Sequence, residues 1–363
     1  MPSVDSLFEP VELPNLTLKN RIVMPSMTRG GAPGGIPNEK HVAYYARRAA
    51  GGAWLLLTEG VPPDHEWSFA SPTMPTFHGE GLEGWRRVLD AVHAEGGKLM
   101  PQIWHIGGVA YADTPKDIPR TTPSGISPEG KVVGEPLTDE QLEDLKASFV
   151  RACINAKRYG FDGVEIHACH GYLLDLFFWD RTNKRGDKWG GDFIQRTSFP
   201  AQIVKDARAA VGKDFPIFIR ISQWKQQDYE AKLAPTPKDL EQFLAPLVDA
   251  GVDLIDCSTR RFWEPEFEGS DLNLAGWAKK LTGLPTMTVV SVSLSTDVMS
   301  SFTGENAELT SIDALLERLE REEFDLVGVG RMLIADPEWP KKIRDGRLSE
   351  LKPFRRDALM SLE

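Results

Sequence analysis

Eight times along this chain a short apolar run is followed by an amphipathic segment, and that alternation limits the possible folds more than any other feature. The apolar runs fall at 21–29, 53–60, 98–105, 161–167, 216–222, 252–258, 285–291 and 324–330. The amphipathic segments fall at 38–51, 82–95, 138–160, 195–211, 238–250, 272–282, 312–322 and 337–345. AWLLLTEG, at 53–60, has almost no polar alternation, as expected of a strand buried on both faces of a parallel sheet. Strands alternating with helices imply an α/β fold, and a count of eight selects a closed (β/α)8 TIM barrel over an open doubly wound sheet. We expect a single domain over 1–363.

Local signals refine this outline. Pro10 and Pro14 break residues 7–18 into two short extended pieces, a hairpin that would plug the bottom of the barrel. Asn38 can cap the first helix, and Thr138 with Gln141 forms a capping box before Leu142, Leu145, Phe149, Ala152 and Ala156. Residues 107–136, rich in Gly, Pro and Thr, are too long for an ordinary connection and suggest a lid after strand three.

Composition removes several function classes. A net charge of −11 with no long Lys/Arg block argues against nucleic acid and anionic membranes as partners. No apolar run approaches membrane-spanning length, and Asp5, Glu9 and Glu12 stand where a signal peptide needs an apolar core, so we expect a cytoplasmic protein. The three cysteines, Cys153, Cys169 and Cys257, show no CxxC spacing and read as reduced thiols.

The densest chemistry lies in FDGVEIHACHGYLLDLFFWDRTNKRGDKWGGDFIQR, residues 161–196. Val164 and Ile166 mark a strand that ends at His167, and His170 and Tyr172 follow directly. A His-x-x-His pair can bind zinc, yet no third ligand stands at a recognisable spacing, so no metal is expected. Either histidine alone could be a buried structural residue; two with a tyrosine favour a site.

HACHGYLLDLFFWDRTNKRGDKWGG resembles the signature of the old yellow enzyme family of FMN-dependent ene-reductases. Trp189, Gly186 and Asp192 depart from the common pattern, away from His167, His170 and Tyr172. The likeness extends from RIVMPSMTR to GRMLIADP. It implies FMN held by Pro25, Ser26, Met27 and Thr28 along the ring system, Gly60 at close backbone approach and Gln102 at the pyrimidine edge. Arg220 would face N1, where reduction places negative charge. Ser291, Gly330 and Arg331 would receive the phosphate, the place where this fold commonly binds one. Val290 and Ser293 stand where many relatives have glycine, so we expect the phosphate loop to adjust and to lean on Arg331.

The resemblance further implies NADPH or NADH as electron donor and a small enone-type substrate. His167 and His170 would bind its carbonyl oxygen and Tyr172 would protonate Cα. Trp104 and Trp263, with Phe262, are candidates for the substrate wall, although Trp263 could equally be packing. Nitroalkenes or nitrate esters are further candidate substrates. The alternatives are a demethylase or dehydrogenase on the same barrel, or a barrel that binds ligand without turnover. The chain carries no C-terminal cysteine cluster for iron-sulfur chemistry, and monomer and homo-oligomer both remain open.

Overall fold

The computed structural model describes residues 2–68, 71–111, 114, 116–297, 300 and 307–363. The described residues form ten strands. β1 (Val11–Leu13) and β2 (Leu16–Leu18) form an antiparallel hairpin; β3 (Ile22–Met24), β4 (Leu55–Val61), β5 (Lys98–Ile103), β6 (Val164–His170), β7 (Ile217–Lys225), β8 (Leu254–Ser258), β9 (Thr286–Val289) and β10 (Leu326–Gly328) close into a barrel. Every barrel pairing is parallel, and β10 joins β3 to complete the ring. This is the TIM barrel that the alternation predicts.

The hairpin plugs the barrel because its pattern is alternating. Val11, Leu13, Leu16 and Leu18 are buried, while Glu12 and Thr17 face out. The four apolar side chains join Val23, Leu55, Leu57, Met100, Phe218, Leu254, Met287 and Leu326 in one cluster. A larger cluster lies between the outer face of the barrel and the helices.

Helix boundaries follow the capping chemistry. Asn38 caps α2 (Glu39–Ala50), after a single turn α1 (Asp5–Phe8); α3 (Gly81–Ala94) follows. Thr138 accepts from the Gln141 amide at 3.2 Å and Gln141 returns the bond at 2.9 Å, starting α4 (Asp139–Tyr159). Gly160 ends α4 at φ +85°, a conformation open to glycine. A short buried helix, α5 (Leu173–Phe178), comes next, and Asp192 caps α6 (Phe193–Val211) in the same reciprocal way. The ring continues with α7 (Pro237–Asp249), α8 (Leu274–Thr282) and α9 (Asp313–Glu320), then two short helices, α10 (Arg331–Ala335) and α11 (Trp339–Arg344).

Two strands run three residues past their expected ends, and both matter to the site. β6 runs past His167 to His170, with a register shift against β7 between Ala168 and His170. The shift leaves His170 at φ +63°, which turns its side chain out of the strand alternation. β7 extends beyond residue 222 to Lys225 because His170 pairs with Lys225 across that shift. The expected eighth helix at 337–345 contains α11, and α10 precedes it as a separate turn.

The segment after β5 contains no helix or strand among its described residues, apart from one bridge between Ile126 and Val132; positions 112, 113 and 115 lie outside the described residues. It is anchored by the distal half of the 161–196 stretch. Arg185 donates to the carbonyls of Pro123 at 2.8 Å and Leu137 at 2.7 Å, and the Lys184 amide donates to Ser124 Oγ at 2.7 Å. No helix of the described residues is long and apolar enough to cross a membrane.

Candidate active site

The C-terminal ends of the barrel strands open into a cavity of about 710 Å³. Its lining contains Pro25, Ser26, Met27, Thr28, Gly60, Gln102, Trp104, His167, His170, Tyr172, Arg220, Ser291, Gly330 and Arg331. Of the candidates for the substrate wall, Trp263 and Phe262 are not brought there: they pack edge-on against each other at 5.0 Å, and the Trp263 carbonyl accepts from Arg318 at 3.0 Å.

His167, His170 and Tyr172 form one group. The His167 ring centroid lies 5.4 Å from that of His170 and 5.3 Å from that of Tyr172. Trp104 meets Tyr172 edge-on at 5.0 Å, and Trp224 stacks on His170 at 4.4 Å. His170 Nε2 lies 2.8 Å from Ser258 Oγ, and His167 Nε2 lies 3.3 Å from Cys169 Sγ. Burial, with the Arg220 guanidinium nearby, pushes His167 down to about 3 and holds His170 well below its usual value, so both imidazoles are neutral at physiological pH. Burial also raises the Tyr172 phenol well above 10, with the Tyr111 phenol adding to the effect.

The fold supplies the third donor that spacing did not show: the side chains of His167, Cys169 and His170 bring ligand atoms within 4.8 Å of one another. Burial pushes the Cys169 thiol well above its ordinary range, so it remains S–H, and each histidine Nε2 already has a partner. We read the trio as a hydrogen-bonded group and not as a metal centre.

Beneath the cavity lies a buried charge network. Arg220 Nε stands 3.2 Å from Asp256, and Glu165 accepts from Gln102 Nε2 at 2.6 Å. Burial raises both acids, Asp256 to about 6, and the carboxyl group beside it keeps Glu165 well above its usual value. The remaining Arg220 contacts are long, 3.3 Å to the Ser26 carbonyl and 3.5 Å to Ser258 Oγ. Its positive charge is therefore available to the cavity.

At the far end, Val290, Ser291 and Ser293 have φ of +111°, +63° and +59°. The loop keeps glycine-like backbone angles without glycine, contrary to the expected adjustment, at a cost of roughly 1 to 3 kcal/mol for such a residue. Arg331 spans the loop: it donates to the Asp297 carbonyl at 2.9 Å, to the Thr296 carbonyl, and to Ser291 Oγ at 3.5 Å. Ser293 faces away, accepting from Trp339 Nε1 at 3.2 Å.

Sequence reasoning missed Tyr111, Trp224, Gln226, Phe354 and Leu359, all of which line the cavity. Trp224 and Gln226 lie beyond the expected end of their strand. Phe354 and Leu359 come from the C-terminal segment, which has no readable periodicity; its carbonyls at Ala358, Ser361 and Glu363 accept from Arg29 and Arg48.

The sequence model of the NADH:flavin oxidoreductase / NADH oxidase family matches residues 6–350. The chain belongs to this family. An NADH oxidase of Thermoanaerobacter brockii is 32% identical over 97% of this chain and 52% of its own length. A metal reductase of Desulforamulus reducens is 31% identical over 96% of this chain and 50% of its own length. The chain thus spans about half the length of these curated relatives. Old Yellow Enzyme from Pichia sp. AKU4542 shares the fold, with a TM-score of 0.78 at 23% identity over 98% of this chain and 90% of that one.

The cavity lining of this flavin oxidoreductase family member suits FMN on two observations. Arg220 presents an under-satisfied guanidinium to the cavity, a charge that would complement the negative charge a flavin ring gains on reduction. Ser291, Gly330 and Arg331 adjoin one another at the ends of β9 and β10, where phosphate sites recur in this fold.

Proposed function

We propose that this chain reduces the activated C=C bond of α,β-unsaturated carbonyl compounds, drawing electrons from NADPH or NADH. FMN would be held by Pro25 to Thr28, Gly60, Gln102, Arg220, Ser291, Gly330 and Arg331, and when bound supplies hydride chemistry. The observation that carries the reading is the grouping of His167, His170 and Tyr172, with ring centroids within 5.4 Å of the His167 ring, in a cavity also lined by Arg220.

Each side chain has a definable part. A hydroxyl of Ser258 donating to His170 Nε2, and the Cys169 thiol donating to His167 Nε2, fix both imidazoles with the proton on Nδ1. Two neutral N–H donors then bind the substrate's carbonyl oxygen and stabilise the negative charge that grows there, at a few kcal/mol per donor. Because burial keeps both rings neutral, they polarise the oxygen without protonating it. Tyr172 remains protonated at working pH and delivers its proton to Cα. Trp104 and Trp224 back Tyr172 and His170 and limit their rotation.

Anaerobic mixing tests the reading. NADPH or NADH should bleach the flavin absorbance of FMN-loaded protein, and a cyclic enone added second should restore it with formation of the saturated ketone. A protein that only binds ligand would not bleach. Bleaching by an amine donor together with inertness toward enones would indicate the demethylase or dehydrogenase alternative.

A further inference from the structure

Tyr172 is 7% exposed, so a phenol that gives up one proton per turnover needs a route by which to regain it. Among the described residues, its hydroxyl meets two groups, the hydroxyl of Tyr111 and Gln226 Oε1 at 3.3 Å. Gln226 Oε1 can only accept, so the proton of Tyr172 points to it and Tyr111 is the donor in the phenol pair. The rings on either side offer no acid. Trp104 meets Tyr172 edge-on with an indole, which is no acid, and His167 is neutral. Tyr111, by contrast, is 42% exposed.

Tyr111 is also held in place. Its amide donates to Thr114 Oγ1 at 2.9 Å, and the Thr114 amide returns to its carbonyl at 3.1 Å. The root of the same segment is fixed at Gly107, φ +66°, where a Cβ would come 2.7 Å from the backbone of Leu173. The Leu173 amide donates to the His105 carbonyl at 3.3 Å, so the segment bearing Tyr111 and the turn bearing Tyr172 are joined at their bases.

We infer that Tyr111 is a proton relay that returns a proton from solvent to Tyr172. The inference rests on the reading of Tyr172 as proton donor. In the donating step, the Tyr172 O–H bond breaks as the C–H bond forms at Cα. The Tyr111 O–H bond then breaks as the Tyr172 O–H bond re-forms, and exposed Tyr111 takes a proton from water or buffer acid. One solvent proton enters per turnover, and neither phenol is changed at the end.

Hydroxyl exchange on the FMN-loaded protein tests the relay without any turnover. Tyrosines labelled with 13C at Cζ, in mixed light and heavy water, report how fast each phenol exchanges its hydrogen, and Tyr172→Phe identifies the Tyr172 signal. Tyr111→Phe keeps the ring and removes the hydroxyl, and should slow exchange at Tyr172 on the order of tenfold or more, as for loss of a placed acid–base group. Tyr111→Ala leaves room for water beside Tyr172 and should restore exchange toward the parent rate. Steady-state enone reduction should follow the same order, while flavin bleaching by NAD(P)H stays unchanged in both variants. A packing role predicts the reverse, with Phe like the parent and Ala impaired, and that ordering would overturn the relay. Unchanged exchange at Tyr172 in Tyr111→Phe would overturn it as well. A parent protein that exchanges through Tyr111 yet reduces no enone would refute the enone reading alone.

Discussion

Lys225→Met should expose how much the site depends on one buried ion pair. Lys225 Nζ lies 2.8 Å from Asp175 Oδ1, and both side chains are fully buried. Asp175 Oδ2 accepts the Gly171 amide at 2.7 Å, so this carboxylate fixes the residue between His170 and Tyr172. With the ammonium removed, one backbone donor remains for a buried negative charge, and breaking such a pair costs about 3 to 5 kcal/mol. Burial raises the Asp175 carboxyl even with Lys225 present, so without it the group should take up a proton. The folded pKa then lies further above the unfolded value. The cost is absent below the unfolded pKa, about 3.9, and grows as pH rises toward the folded one. Urea unfolding of parent and variant near neutral pH and in mild acid should therefore show a gap that widens with pH. Asp175→Asn with Lys225→Met removes both charges, keeps an acceptor for Gly171, and should recover most of the loss. A single variant within about 1 kcal/mol of the parent at neutral pH, where unremarkable substitutions fall, would refute this reasoning. A double variant less stable than the single one would refute it too.

Other outcomes follow from the same geometry. His167 is neutral in the fold down to about 3, whereas the unfolded chain takes up its proton near 6.5. Its contribution to stability is thus lost as pH falls through that window, and His167→Asn should flatten the acid limb of an unfolding titration. Arg331→Ala removes the side chain that ties the Thr296 and Asp297 carbonyls across the phosphate loop, and should lower the flavin-to-protein ratio after high-salt dialysis. Val290→Gly with Ser293→Gly restores glycine where φ is +111° and +59°, and should hold flavin at least as well as the parent.

The barrel was legible because parallel strands buried on both faces leave continuous apolar runs, and because capping residues such as Asn38 and Thr138 mark helix starts locally. The strand-end residues followed from the topology: once eight strands close, Pro25, Gln102, His167, Arg220 and Arg331 must share one rim. What stayed hidden depends on register and long-range contact. Nothing in HACHGY shows that β6 shifts against β7, yet that shift sets the φ of His170 and carries Trp224 and Gln226 into the cavity. Tyr111 reaches Tyr172 across a stretch without periodicity, and Phe354 and Leu359 arrive from a segment whose pattern carries no direction. Trp263 had an aromatic signal compatible with wall or core, and contact with Phe262 settles its packing partner. The tolerance of β-branched Val290 at positive φ runs against local preference, so propensity alone could not anticipate it.

The central claim is that Tyr172 donates the proton while His167 and His170 hold the oxygen, and stopped-flow comparison of the two half-reactions tests it most directly. In Tyr172→Phe, bleaching of the flavin by NAD(P)H should keep nearly its parent rate. Reoxidation by a cyclic enone should slow by a factor on the order of a hundred or more, the usual worth of a placed general acid. Equal loss in both half-reactions, or an undiminished rate with the enone, would contradict the assignment.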